Sequence, residues 1–219
     1  KKIVYDHVAT TGKTKFLEIG CGTGNFIEQI VGNENLNVTG SEIYLKGLQY
    51  AKKNLPQVDF IQFDITQGTV GEEFDVIVAF DVIEHIEDDA VALQNVNKML
   101  VKGGAFIMTV PQHMFLWSKL DEIVKHKRRY SRRELLAKLK SSGFDISYTT
   151  SFLFVLFPLM LISRLLDKGR GKQPQSDELE LELERRVKFP SALNWFFDLF
   201  MRIDEVLIRM GLSLPFGGT

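Results

Sequence analysis

Short apolar runs alternate with amphipathic segments along the first half of the chain. Each run has the length and composition of a buried or half-buried strand, and the strand predictions are residues 15–20, 36–42, 58–63, 74–81 and 105–111. The segments between them place apolar side chains at a helical period, and the helix predictions are residues 25–31, 45–55 and 88–100. This alternation predicts right-handed βαβ units, and therefore an α/β fold with a doubly wound, mainly parallel sheet.

The pattern changes after the fifth predicted strand. Ser131 is predicted to open a helix through a capping box with Glu134, and residues 143–150 are predicted to form a further strand. Residues 152–166 are strongly apolar, whereas residues 190–210 place apolar side chains on one wide helical face.

These segments predict a core domain over residues 1–150 and a C-terminal helical appendage over residues 151–219. The appendage either covers a substrate site as a lid or packs against the sheet as core, and the pattern leaves both interpretations open. A short lead-in helix is expected over residues 1–14, and a linker rich in glycine, lysine and glutamine over residues 167–177.

Composition narrows the classes of function. The chain has 219 residues and a formal net charge of −1, so no basic field favours nucleic acid. Its one cysteine, Cys21, excludes an internal disulfide and fits a reducing compartment. The apolar stretches are shorter than the about 18–20 residues of a membrane span. We therefore expect a cytoplasmic protein, with the alternative of a peripheral position at the inner membrane face.

Three glycines follow the first predicted strand at alternate positions. Gly20, Gly22 and Gly24 allow a tight turn and a close approach of a ligand to the backbone, and a helix N-terminus follows. Asn25 occupies the place of the third glycine in the dinucleotide fingerprint G-x-G-x-x-G, which disfavours a dinucleotide. Cys21 is interpreted as a small filler of the turn and not as a nucleophile, because no histidine is near it in sequence.

The run E-I-G-C-G-T-G over residues 18–24 resembles motif I of the class I S-adenosylmethionine (AdoMet)-dependent methyltransferases. The resemblance implies a Rossmann-like methyltransferase sheet and AdoMet as cofactor, with S-adenosylhomocysteine as product. Glu42, at the end of the second predicted strand, would accept hydrogen bonds from the ribose hydroxyls; the less favoured alternative is a carboxylate at a helix start, which needs no ligand. Asp64 would bind the adenine amine or, alternatively, cap a turn before Thr66.

The family motifs align with a larger set of cofactor-binding candidates. That set is Glu18, Gly20, Cys21, Gly22, Gly24, Asn25, Glu42, Ile43, Asp64, Ile65, Asp81, Val82 and His85. For His85 a packing role is the competing interpretation. The pair Glu84–His85 supplies too few ligands for a metal, so no metal is expected.

Polar residues also gather just past the fifth predicted strand, at the sheet edge where open α/β sheets carry their sites. The stretch H-K-R-R-Y-S over residues 126–131 resembles a methyltransferase subgroup linked to cell-surface saccharide or lipid biosynthesis. The substrate-binding candidates are Trp117, Asp121, Arg129 and Tyr130. His126, followed by His113, is the candidate general base, because an ordinary imidazole titrates near neutral pH.

The sequence thus predicts methyl transfer to oxygen or nitrogen of a small-molecule, lipid-linked or saccharide-linked acceptor. Residues 152–166 and 191–211 are candidates for contact with a membrane surface. Two alternatives remain: a non-catalytic AdoMet-binding or membrane-docking protein and, less favoured, an NAD-type oxidoreductase.

Overall fold

The computed structural model describes residues 13–167 and 191–219, together with Val4 and His7. Most of the predicted lead-in helix over residues 1–14, and all but the first residue of the predicted linker over 167–177, lie outside the described residues.

The described residues form a five-stranded sheet in which every pairing is parallel. The strands are β1 Thr14–Ile19, β2 Leu36–Glu42, β3 Asp59–Gln62, β4 Phe74–Phe80 and β5 Leu100–Thr109. Their order across the sheet is β3-β2-β1-β4-β5. The chain therefore reverses its direction of winding between β1 and β4, and in open α/β sheets a ligand binds at the carboxyl ends of such a pair.

The helices confirm most of the predicted periodic segments. They are α1 Asn25–Glu28, α2 Leu45–Asn54, α3 Asp89–Lys98, α4 Lys119–Ile123, α5 Arg132–Ser141, α6 Phe157–Asp167 and α7 Ser191–Arg209. The amide of Glu134 donates to Ser131 Oγ over 3.2 Å, as the predicted cap requires. None of the helices in the described part of the chain has the length and apolar character that crossing a bilayer demands.

The central strands carry the core. Phe16 on β1 and Val76 and Val78 on β4 are fully buried, and Ile27 of α1 packs in the same cluster. Because both faces of a central parallel strand are covered, β4 is apolar at almost every position instead of alternating.

Contacts within the chain divide it into two compact units. One comprises residues 1–110 and 135–145, and the other comprises residues 111–134 and 146–219. The single boundary near residue 150, expected from composition, stays a prediction.

The structure corrects the prediction of a strand over residues 143–150, because these residues form no strand in the described chain. Hydrogen bonds that involve side chains join this segment to residues 213–214 instead. Ser213 Oγ donates to the carbonyl of Thr149 over 2.6 Å, and the amide of Leu214 donates to Thr150 Oγ1 over 3.0 Å. The alternation of residue types was that of a strand, but no neighbouring strand supplies a ladder.

The start of β5 also differs from the prediction. The glycine pair at 103–104 was expected to end a helix before a strand that begins at residue 105, yet β5 already begins at Leu100. Phe74 pairs with Leu100 and Val76 pairs with Ala105, so the extra residues form a bulge. Gly103 has a φ of +82°, which explains a glycine at this point.

A glycine inside the sheet gives a test of the packing. A Cβ added to Gly40 on β2 would lie 2.6 Å from the Phe60 ring and 2.7 Å from Ile27 Cδ1. We expect Gly40→Ala to lower the free energy of unfolding by about 1–3 kcal/mol through overpacking, measured by urea denaturation. Gly32→Ala is the control, because no described atom lies within 4 Å of that Cβ; an equal loss in both variants would contradict the packing.

Candidate active site

The glycine turn at the end of β1 is an open backbone surface. Gly20, Gly22 and Gly24 have φ values of +69°, +54° and +86°, which side-chain-bearing residues adopt only with strain. A Cβ on Gly20 would lie 2.5 Å from Val82 Cγ2, so the turn packs closely against the loop after β4. A Cβ on Gly22 would meet no described atom within 4 Å. The turn therefore leaves room for a ligand above Gly22.

Glu42, the last residue of β2, fixes this turn. One carboxylate oxygen accepts the amide of Gly22 over 2.9 Å and the other accepts the amide of Tyr44 over 2.9 Å. The side chain is largely buried. Each oxygen keeps a second lone pair, so the carboxylate remains able to accept hydrogen bonds from a diol.

Glu18 on β1 is a buried carboxylate in need of a partner. It is 5% exposed, and its Oε2 atom has no hydrogen-bond partner among the described residues. Burial raises the pKa of Glu18 to about 7. Burial also raises the pKa of the Cys21 thiol to about 12, with Glu18 and Glu42 adding to the shift. The thiol therefore keeps its proton, while Glu18 is suited to a cationic group of a ligand.

Asp64 follows β3 and caps a short 3-10 turn over Ile65–Gln67. Its Oδ1 atom accepts the amide of Thr66 over 2.9 Å and the Thr66 hydroxyl over 2.7 Å. The carbonyl of Ile65 accepts Asn95 Nδ2 over 2.8 Å. The turn interpretation of Asp64 is thus realised, and its adenine contact stays a prediction.

The loop after β4 contributes the remaining candidates. Asp81 has a φ of +52° and its amide donates to the carbonyl of Thr109 over 3.1 Å, so its backbone is held in an unusual conformation. His85 ends a second 3-10 turn, Ile83–His85, and its side chain is exposed. The ends of β1, β2, β3 and β4 therefore carry the predicted cofactor residues on one edge of the sheet.

A second group of polar residues lies in the other compact unit, around the buried side chain of Asp121. We define the Asp121 cluster as Gln112, Ser118, Asp121, His126 and Arg129. Asp121 is 1% exposed and accepts from Ser118 N over 2.8 Å, Ser118 Oγ over 3.0 Å and Arg129 Nε over 2.7 Å. His126 Nδ1 lies 2.9 Å from the Asp121 carboxylate.

These contacts fix the charge of Asp121. Burial by itself raises the pKa of this carboxyl, but hydrogen bonds from His126 and Arg129 outweigh burial and hold the pKa well below its usual range. The ionised carboxylate accepts the Nδ1 proton of His126, so the neutral ring carries its lone pair on Nε2. The cluster therefore presents an imidazole in the tautomer that a general base needs.

The other candidates in this unit are more enclosed than the sequence suggests. Tyr130 is fully buried, and its backbone pairs with Pro111 and His113. Trp117 is half-buried. Arg129 is bound to Asp121 and, through Nη1, to the carbonyl of Gln112 over 3.1 Å. Direct contacts of Trp117, Asp121, Arg129 and Tyr130 with a substrate stay predictions.

Sequence reasoning missed three residues that organise this unit. Gln112 Oε1 accepts Ser151 Oγ over 3.0 Å and the amide of Gly217 over 3.1 Å. Ser118 and Asp121 form a capping box for α4, and the S-x-x-D spacing was the available signal. Asp204 on α7 is buried and accepts the amide of Phe154 over 2.7 Å, a long-range contact that no local pattern marks.

The sheet order, the glycine turn and the acid after β2 together define a nucleotide-binding α/β domain of the Rossmann-like class. A family model described as a methyltransferase domain matches residues 9–149, more than half of the chain, and the protein therefore belongs to this family. The expectation of a class I AdoMet-dependent methyltransferase fold is confirmed, with AdoMet as the cofactor of this class. The H-x-R-R-Y-S subgroup stays a prediction.

Curated relatives agree with the family. A probable S-adenosylmethionine-dependent methyltransferase of Mycolicibacterium smegmatis is 25% identical over 68% of this chain and 59% of its own length. A ubiquinone biosynthesis O-methyltransferase of Rickettsia canadensis is 24% identical over 51% of this chain and 48% of its own length. The chain thus spans about half the length of such relatives.

Solved structures show the same fold. An S-adenosylmethionine-dependent methyltransferase of Mesorhizobium loti matches with a TM-score of 0.60 and 18% identity, covering 76% of this chain and 91% of that one. A second from Clostridium acetobutylicum gives a TM-score of 0.57 at 16% identity, covering 68% of this chain and 79% of that one.

The residues present fit the cofactor. AdoMet carries a ribose diol and a cationic amino-acid end, and the turn offers Glu42 as an acceptor and Glu18, whose buried Oε2 atom has no hydrogen-bond partner in the part of the chain that the structure describes. The open space above Gly22 accommodates a ligand against the backbone.

Glu18→Gln tests this fit. The raised pKa means that the free protein loses stability as pH rises from about 4.5 through about 7, because the ionised carboxylate is buried. The neutral variant is spared that loss. We expect it to exceed wild type in unfolding free energy at pH 8 by up to about 3 kcal/mol, yet to bind AdoMet at least about tenfold more weakly. Denaturation and titration calorimetry measure the two effects.

The exposed Glu28→Gln is the matched control and should change neither quantity. In wild type, AdoMet affinity should rise from pH 5.5 to pH 7 as Glu18 ionises, and this rise should be absent in Glu18→Gln. A variant that binds AdoMet as tightly as wild type would remove Glu18 from the site.

Proposed function

We propose that the protein transfers a methyl group from AdoMet to a small-molecule acceptor, and that a hydroxyl of a lipid-linked or saccharide-linked compound is the favoured target. The observation that carries the proposal is the cradle formed by the glycine turn, Glu42 and the unpartnered Glu18 in a chain of the methyltransferase family. AdoMet supplies an already activated methyl group, so the protein has to position the acceptor and take up its proton.

Each proposed cofactor-binding residue suits one chemical group of AdoMet. Glu42 would hold the ribose hydroxyls, Glu18 the ammonium group, and Asp64 with the Ile65 backbone the adenine. Asp81, Val82 and His85, in the loop after β4, are the remaining residues that we assign to AdoMet binding. Supporting it is their common position at the carboxyl ends of four neighbouring strands.

His126 is the general base in this proposal, and Asp121 is its positioning residue. The ionised Asp121 fixes the Nδ1–H tautomer and stabilises the imidazolium that forms when Nε2 takes a proton. Arg129 balances the carboxylate charge through its 2.7 Å contact. His113 is a weaker candidate, because burial and the charge of Arg129 lower its pKa.

Several relatives are named ubiquinone biosynthesis O-methyltransferases. Two of them, from Rickettsia canadensis and Rickettsia felis, are 24% and 28% identical to this chain. These names favour oxygen over nitrogen as the methylated atom and a hydroxylated acceptor with an apolar body.

The surface of α7 favours an acceptor at a lipid interface. Leu199, Ile203, Val206 and Met210 are 42%, 40%, 54% and 72% exposed and form a single stripe at helical spacing. Arg202 and Arg209 lie along one border of this stripe, the arrangement of helices that rest in the headgroup layer. On α6, Leu159 and Ile162 are also exposed. We therefore propose that these two helices contact a membrane surface.

His126→Asn tests the assignment of the base. The asparagine amide retains a donor toward Asp121 but has no basic nitrogen, so we expect kcat to fall by about 10²–10⁴ with AdoMet affinity unchanged. The assay follows labelled methyl from AdoMet into lipid extracts. Glu122→Gln, an exposed neighbour on α4, should leave activity unchanged. Wild-type AdoMet binding without transfer to any extract would favour a non-catalytic AdoMet-binding protein.

The lipid contact has its own test. We expect wild type to co-sediment with vesicles that contain anionic lipid, and Val206→Ser combined with Met210→Ser to reduce the bound fraction severalfold through lost apolar burial. Tyr50→Ser on α2 removes an exposed apolar side chain elsewhere and should have no effect. Equal sedimentation of both variants would refute a role of the stripe.

A further inference from the structure

His113 carries a polar atom for which the fold supplies no partner. Its Nε2 atom is buried without a hydrogen bond among the described residues. The imidazole stacks on Phe115 with ring centroids 4.9 Å apart and meets the edge of Phe157 at 5.9 Å. Phe216 packs on Phe157 at 5.1 Å and on Phe154 at 4.8 Å. We define the His113 cluster as His113, Phe115, Phe154, Phe157 and Phe216.

Two unfavourable features coincide at His113. A buried ring nitrogen without a hydrogen bond costs about 1–3 kcal/mol. The backbone of His113 has a φ of +64°, a strained conformation of similar cost. The amide of His113 donates to the carbonyl of Tyr130 over 2.9 Å, which holds the backbone in place but does not satisfy the ring. Strain and an unused polar atom at one residue are typical of positions that meet a ligand.

The chemistry of the ring defines that ligand. Burial, followed by the nearby charge of Arg129, lowers the pKa of His113, so the ring is neutral at physiological pH. In the neutral ring Nε2 presents either a lone pair or an N–H group, depending on the tautomer. A hydroxyl complements both, because it donates and accepts. The phenylalanine rings around it favour an aromatic body over a charged or strongly hydrated one.

We propose that the His113 cluster binds the acceptor, and that it takes a hydroxylated aromatic ring whose hydroxyl bonds to His113 Nε2. Phe115 is 52% exposed and Phe216 is also exposed, so the outer rings of the cluster are open to solvent. Because Nε2 itself is buried, the Phe115 ring swings aside when the ligand enters, and the ligand ring takes over its stacking contact. The role as acceptor site rests on the proposed methyl transfer, whereas the binding itself does not.

The test compares two probes that differ by one hydroxyl. Binding of 4-fluorophenol and of fluorobenzene to the full chain is followed by fluorine NMR titration in the absence of AdoMet. We expect wild type to bind 4-fluorophenol about five- to tenfold more tightly, the effect of satisfying one buried polar group. His113→Phe should bind both probes equally, because it keeps the aromatic surface and loses the nitrogen.

Three further variants separate the hydrogen bond from packing. His113→Gln restores a polar group and should recover part of the preference for 4-fluorophenol, even where His113→Phe shifts the local packing. Phe115→Ala removes the ring that the ligand has to displace, so it should bind both probes at least as tightly as wild type and keep the preference for 4-fluorophenol. Glu122→Gln, an exposed residue outside the cluster, should keep the wild-type preference.

The proposal is overturned if folded wild type shows no preference for the hydroxyl, or if His113→Phe keeps it. Binding of neither probe at millimolar concentration overturns it as well. If the preference is present but labelled AdoMet yields no methylated product, the cluster stands as a binding site and the methyl-transfer function fails. If methyl transfer occurs without the preference, only the cluster assignment is refuted.

Discussion

The hydrogen bond between Glu42 and the amide of Gly22 is the contact on which the proposed cofactor site depends. It joins the end of β2 to the turn after β1 over 2.9 Å, and the turn has positive φ at each of its three glycines. A side chain at Gly20 would collide with Val82, and one at Gly22 would fill the space left for the ligand. One carboxylate thus shapes the backbone and remains available to a ribose diol, which is why strand order and ligand chemistry are linked here.

Two buried carboxylates, Glu18 and Asp121, differ in how the fold pairs them. Glu18 has an oxygen without a partner, and burial raises its pKa, so a cationic ligand group would relieve an existing cost. Asp121 is buried as deeply, yet Ser118, His126 and Arg129 surround it with donors and keep it ionised. The same carboxylate chemistry is therefore left available for a proposed ligand in one unit and orients an imidazole in the other, and the difference lies in the donors that the fold supplies.

Local patterns predicted the central strands well because these strands are largely buried. The strand prediction for residues 36–42 coincides with β2, and the near-continuous apolar run of β4 has no other stable environment than a sheet centre. The strand prediction over 143–150 was wrong because alternation describes the residue types and says nothing about a pairing partner. The early start of β5 was missed because a bulge depends on the register with β4.

By itself, the sequence determined the five strands of the sheet and the helices that alternate with them, the glycine turn and the acid after the second strand, since each follows from neighbours within a few residues. Only the tertiary structure decided which polar side chains are paired. Asp121 binds His126 and Arg129, and its contact with a substrate stays a prediction, while Gln112 joins Ser151 and Gly217 from distant parts of the chain. Among the described residues, His113 Nε2 is left without a hydrogen-bond partner for the same reason. Pairing and burial depend on residues far apart in the chain, and no local period records them.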